Sequence, residues 1–192
     1  MNLPNRVFFT GVPGSRWSGI AQVLESIPGF NTSDRSDART YNHGGFTGHV
    51  GAYFGPGMEF DTDLDPSYLD QAWTEPGGTR LVKSHDWPYH FTDIEFQHPD
   101  AWIMLVYRPD MSSYAWWHEA GGFNIKYPCY DAYRDGAGML AEIVKQNDLI
   151  LKYGAARGAT WSYFTPNWIQ ENFGHRVEAN KNWSDILVTV IK

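Results

Sequence analysis

The stretch from Arg6 to Gly29 constrains the fold more than any other part of the chain. Val7, Phe8 and Phe9 form a short apolar run with the pattern of a buried strand. The segment Gly11-Val-Pro-Gly-Ser-Arg-Trp-Ser-Gly19 follows. Ile20, Val23, Leu24 and Ile27 then recur at helical spacing until Pro28-Gly29 stops the helix. Strand, glycine-bearing loop and helix, in that order, aim backbone N–H groups and the positive end of a helix dipole at a bound anion. A tight βα turn whose glycines serve packing alone fits the loop equally well. A nucleoside-triphosphatase loop, G-x-x-x-x-G-K-[ST], does not. Laid on Gly11, that pattern meets Arg16 at its second glycine and Trp17 at its lysine, and only Ser18 agrees.

Strand and helix signals alternate along the rest of the chain. A helix is expected from Pro66 to Trp73 and a second strand from Thr79 to Ser84. Trp102-Ile-Met-Leu-Val-Tyr107 is apolar throughout, as a central parallel strand should be. Arg108-Pro-Asp110 turns that strand into a helix, with Asp110 or Ser112 as its cap. A long helix is expected from Tyr130 to Tyr153, with Met139, Leu140, Ile143, Val144 and Leu151 on one face and a start weakened by Gly136 and Gly138. Trp161 to Phe164 reads as a strand, Pro166 to Phe173 as a helix ending at Gly174, and Ile186 to Ile191 as a last strand. Such alternation defines an α/β chain with an open, mostly parallel sheet covered by helices on both faces.

No repeat or domain boundary interrupts the 192 residues, which read as a single domain. Residues 29–65 stand out as a long loop or lid, rich in glycine and aspartate. Asp61, Asp63 and Asp65 alternate within it but lack the glycine and terminal glutamate of a calcium loop, so they read as an acidic turn capping the next helix.

Charge and composition exclude several classes. Fifteen basic against twenty-two acidic residues, a net charge of −7, argue against a general nucleic-acid partner, so any anion site must gather its cations locally. No run approaches the ~20 apolar residues needed to cross a bilayer, and the first residues lack the apolar region of a secretion signal. The single cysteine, Cys129, leaves no internal disulfide and no cysteine-based zinc cluster. These features lead us to expect a soluble, cytoplasmic protein with no membrane partner.

Ligands of open α/β sheets bind beyond the carboxyl ends of the strands. Three such ends carry reactive side chains: Gly11 to Ser18, Lys83 to His85, and Arg108 to Ser113. A histidine just after a buried strand is rigidly held and titrates near neutrality, so His85 suits proton abstraction from a hydroxyl. Lys83, two residues earlier, projects from the same side and would neutralise charge on a transferring group. His43, His49, His90, His98, His118 and His175 read as ordinary hydrogen-bonding histidines.

Arg80-Leu-Val-Lys-Ser-His-Asp-Trp-Pro88 resembles a segment of the sulfotransferases that use 3′-phosphoadenosine 5′-phosphosulfate (PAPS), of the form R-[hydrophobic]2-K-[ST]-H-x-x-P. The resemblance implies a P-loop-like, three-layer sheet in which His85 deprotonates the acceptor and Lys83 assists. The family's first loop, P-K-S-G-T-T-W, cradles the 5′-phosphosulfate. Pro13, Gly14, Ser15, Arg16, Trp17, Ser18 and Gly19 stand at its positions, with Gly14 in place of the lysine and Arg16 in place of the glycine. Arg16 would then supply the missing cation, and Trp17 would stack on adenine. Leu105 to Tyr114 resembles the family's 3′-phosphate motif, with Arg108 as the phosphate fork and Ser113, or second Ser112, as the hydroxyl.

The resemblance covers roughly Arg6 to Trp117. It implies sulfuryl transfer from PAPS, without a metal, to a hydroxyl or amine on a small molecule, carbohydrate or peptide. Trp87, Tyr89, Trp116, Trp117 and Phe123 would line the acceptor pocket or fill the core. Two alternatives stay open: a P-loop-type kinase relative that binds ATP, and a catalytically silent nucleotide-binding or interaction module.

Overall fold

The computed structural model describes residues 2–34, 40–42, 52–124, 130–177 and 183–192. In chain order the elements are β1 (Arg6–Gly11), α1 (Trp17–Glu25), β2 (Thr40–Asn42), β3 (Ala52–Phe54), α2 (Pro66–Asp70), β4 (Arg80–Lys83), α3 (Phe91–Gln97), β5 (Trp102–Tyr107), α4 (Asp110–Glu119), α5 (Gly136–Ala156), β6 (Ser162–Tyr163), α6 (Pro166–Phe173) and β7 (Leu187–Ile191). β2 and β3 form a separate antiparallel hairpin inside the long 29–65 segment. Part of that segment, including most of Tyr41 to His49, lies outside the described residues.

The main sheet has the order β4-β1-β5-β7-β6. β1 pairs in parallel with β4 and β5, whereas β7 runs antiparallel to both β5 and β6. The sheet is therefore mixed, which corrects the mostly parallel expectation. The β-branched run of β7 gave no warning, because apolar content reports burial on both faces and says nothing of strand direction.

Alternation along the strands divides the core. Val7, Phe9, Met104, Val106 and Val188 face Ile20 and Leu24 of α1 and Trp168, Ile169 and Phe173 of α6. Phe8, Val82, Ile103 and Leu105 face Leu69 of α2, Ile94 of α3, and Met139, Ile143 and Ile150 of α5. Each such large apolar side chain taken from water contributes about 1.5–3 kcal/mol. Helices thus cover both faces, as the alternating pattern requires.

Several boundaries differ from the sequence reading. Asp131–Arg134 forms a separate 3₁₀ turn, and α5 starts only at Gly136, where the Asp135 carboxylate accepts the Gly138 N–H at 2.7 Å. The buried face of α5 is Met139, Ile143, Gln146, Asn147, Ile150 and Gly154, while Val144 and Leu151 are 45% and 38% exposed. Two buried amides hide the true phase of that helix. α2 ends at Asp70, short of Trp73, and Asp65 caps it by accepting the Ser67 and Tyr68 N–H groups at 2.8 and 3.0 Å. α4 has Pro109 at its cap position, so neither Asp110 nor Ser112 caps it; the Asp110 carboxylate instead accepts from Asn147 Nδ2 at 2.6 Å. Among the described residues, no helix is long and apolar enough to cross a membrane.

Candidate functional site

The site is built on the turn that leaves β1. Ser15 N–H donates to the Val12 carbonyl at 2.9 Å, and Arg16 then adopts a left-handed conformation, φ 63°, at the N-cap of α1. No side chain caps that end, and no acidic residue occupies the first turn. The helix therefore begins with uncapped N–H groups and its positive dipole end next to Arg16.

Gly14, at φ +79°, presses against α4: a Cβ there would lie 1.9 Å from the Ser113 carbonyl oxygen and 2.9 Å from Trp117 Cβ. No side chain fits, which gives a physical reason for glycine where the sulfotransferase pattern has lysine.

Arg108, just beyond β5, holds the same loop. Its Nη1 donates to the Gly14 carbonyl at 3.1 Å and its Nε to Asp185 Oδ2 at 2.7 Å. The Arg16 guanidinium stacks over the Trp116 ring, 3.7 Å from its centroid. Burial, and next the charge of Arg108, lower the Arg16 pKa from its ordinary value, while Asp185 and Glu119 pull it upward. Thr10 Oγ1, Ser15 Oγ and Arg16 Nε are enclosed without a hydrogen-bond partner among the described residues. Each such orphan costs about 1–3 kcal/mol, and all three lie within one stretch of seven residues, 10–16.

His85 is 4% exposed and closes the other side of the loop. Its Nδ1 lies 2.5 Å from the Gly11 carbonyl oxygen. A carbonyl only accepts, so Nδ1 is assigned the proton and Nε2 the lone pair. Nε2 faces Glu59 Oε2 at 3.6 Å. The ring packs at 4.2 Å against Trp17 and at 5.6 Å against Phe60. Burial lowers the His85 pKa to about 4, outweighing the Gly11 hydrogen bond, so the ring is neutral at neutral pH. Residues 57–59 run beside β4 and position this cover: Gly57 O accepts from Lys83 N–H at 2.8 Å, and Glu59 O from His85 N–H at 2.6 Å. Glu59 is held there at φ 60°, an uncommon conformation for a residue with a Cβ.

Of the residues singled out from sequence, Gly14, Ser15, Arg16, Arg108 and His85 meet around the Gly11–Arg16 turn. Pro13 is buried within the turn, and Ser18 is half-buried in the first turn of α1. Lys83 points elsewhere. It is 3% exposed, and its ammonium is hydrogen-bonded to Glu25 Oε1 and lies 3.3 Å from Asp34 Oδ2. Trp17 is 6% exposed and stacked on Phe9, with no open face for a base. Ser113 is fully buried, its hydroxyl 3.3 Å from the Arg108 carbonyl oxygen, while Ser112 stays partly exposed.

Glu59, Asp185 and the Arg16–Trp116 stack were missed in the sequence reading; they depend on contacts across 26–100 residues that no local pattern announces. Among the described residues, no group of three or more His, Cys, Asp or Glu side chains is arranged to hold a metal ion. No protein-family model, curated protein or solved structure matches the chain.

Proposed function

We propose that the chain is a short, divergent PAPS-dependent sulfotransferase on a P-loop-like scaffold, transferring a sulfuryl group to a hydroxyl or amine acceptor. One observation carries this reading. A single turn ahead of a helix N-terminus is gripped by His85 at Gly11 and by Arg108 at Gly14, and Ser15 Oγ and Arg16 Nε within it have no hydrogen-bond partner among the described residues. Two cations and a helix dipole converging on one turn suit an oxyanion.

The donor supplies an activated sulfuryl group: an acceptor–sulfur bond forms as the sulfur bond to the phosphate oxygen breaks. Arg16 offsets charge on that oxygen, in place of the lysine that Gly14 cannot carry. Arg108 holds the second phosphate. His85 takes the acceptor proton at Nε2. Lys83 organises Glu25 and Asp34 and has no direct part in the transfer. Positioning and electrostatics dominate such a reaction, as they do in phosphoryl transfer. Transfer from labelled PAPS to an acceptor panel, run beside calorimetry with 3′,5′-adenosine bisphosphate, tests the reading.

A second reading has its own support. His85 is nearly inaccessible, its Nε2 faces a carboxylate, and Lys83 is engaged in ion pairs. A nucleotide-binding module without transferase activity accounts for those three facts. Tight bisphosphate binding with no transfer to any acceptor would select it.

A further inference from the structure

A cleft of ≈ 480 Å3 opens between the 3₁₀ turn Trp87–Tyr89, the turn Asp131–Arg134 and α5. Phe60, Asp86, Tyr89, Tyr130, Glu142 and Lys145 are among the residues lining it. Its chemistry differs from that of the anion-facing turn. The Gln146 side-chain amide donates to Asp86 Oδ1 at 3.1 Å and to Glu142 Oε1 at 3.0 Å, holding two carboxylates side by side. Tyr89 O–H donates to the same Glu142 oxygen at 2.5 Å.

These bonds leave Asp86 Oδ2 and Glu142 Oε2 for another donor. Neither carboxylate is within ion-pair distance of a described cation: Lys145, the nearby ammonium, sits over the Tyr89 ring at 4.5 Å instead. Gln146 is fully buried, and its own Oε1 has no donor among the described residues. Phe60 and Tyr130 add an aromatic wall, their rings stacked 3.8 Å apart at 22°. Burial, and next the charge of Glu142, push Asp86 up to about 6, against the pull of Lys145. An incoming positive charge would relieve that repulsion.

We propose that this cleft binds an organic cation, a primary ammonium or guanidinium carried on an apolar or aromatic body. Two carboxylates meet the charged head, and the stacked rings meet the body by apolar and cation–π contact. A hard metal ion fits poorly: the third carboxylate lining the cleft, Asp131, is bonded to Arg134, and no group of three or more His, Cys, Asp or Glu among the described residues is arranged to supply the six or more oxygens such an ion takes. The assignment goes beyond the donor reading and does not depend on it. Phe60 does connect the two regions, lying 5.6 Å from the His85 ring, so a cation in the cleft sits one aromatic ring away from the imidazole.

The test is calorimetry on the full chain, without nucleotide, using tyramine and its neutral counterpart 2-(4-hydroxyphenyl)ethanol. Tyramine should bind about tenfold more tightly at neutral pH. Glu142→Gln should abolish that difference, and Lys145→Met, which removes a competing ammonium from an exposed position, should enlarge it. Tyramine affinity should also fall as pH drops below about 6, as Asp86 takes up a proton, and Asp86→Asn, which leaves His90 and Asp131 of the cleft in place, should remove that fall. Equal affinity for both probes, binding of neither, or a difference that survives Glu142→Gln overturns the assignment. Bisphosphate binding, measured separately, stands or falls without reference to these outcomes.

Discussion

The Nδ1 atom of His85 stands 2.5 Å from the carbonyl oxygen of Gly11, which locks the second residue beyond β4 to the last residue of β1. The bond fixes both tautomer and ring plane, so the lone pair at Nε2 points away from the first loop and toward Glu59. His85→Gln, whose amide can still donate to the Gly11 carbonyl, should therefore abolish transfer while leaving bisphosphate binding within about twofold of the parent. Unchanged turnover would remove His85 from the base role.

The same burial makes His85 and Asp86 respond oppositely to acid. An unfolded chain protonates His85 below about 6.5, whereas the folded chain holds it neutral to about 4. Its contribution to stability is complete above 6.5 and is lost as pH falls toward 4. The full difference is roughly 3 kcal/mol. Asp86 has the reverse sign: raised to about 6 in the fold, it favours the folded state as pH falls from 6 to its unfolded value, and that benefit is absent above 6. Urea melts at neutral pH and at about pH 4.5 should show His85→Gln gaining on the parent in acid and Asp86→Asn losing ground there. Parallel pH profiles for the parent and both variants would contradict these assignments.

Gly14 is the most constrained position of the turn. Gly14→Ala combines a disfavoured φ with a 1.9 Å approach to the Ser113 carbonyl, so it should cost about 3 kcal/mol or more. Gly14→Lys, which restores the sulfotransferase pattern, should fare no better. A thermal melt unchanged by either substitution would show that the loop does not press on α4 as described.

Lys83 is expected to matter for stability. Lys83→Met leaves Glu25 and Asp34 without the ammonium between them, and breaking a buried pair from one side costs about 3–5 kcal/mol. The companion variant Lys83→Met with Glu25→Gln should recover part of the loss, measured by urea denaturation. A stable Lys83→Met protein that has lost transfer alone would return the residue to a catalytic role.

Where burial and polarity agree, the fold was legible in the sequence. β5 runs from Trp102 to Tyr107 as the apolar run announces, and α6 spans Pro166–Phe173 between the Thr165 cap and the left-handed Gly174. The phase of α5 was not legible. Gln146 and Asn147 occupy its buried face, their amide nitrogens donating to Asp86, Glu142, the Arg108 carbonyl and Asp110, and polar residues at core positions erase the periodicity. The convergence of Gly11, His85 and Arg108 was foreseeable, because parallel strands β4, β1 and β5 deliver their carboxyl ends to one edge. The ion pairs that turn Lys83 away from that edge were not, since Glu25 and Asp34 lie 58 and 49 residues distant in sequence.

Calorimetric titration with 3′,5′-adenosine bisphosphate against AMP, on the parent and on Arg16→Met, tests the donor assignment most directly. The account predicts that the parent binds the bisphosphate at least about tenfold more tightly than AMP, and that Arg16→Met weakens both nucleotides while keeping the preference for the 3′-phosphate. Equal affinity for the two nucleotides, or no binding of either, would contradict it.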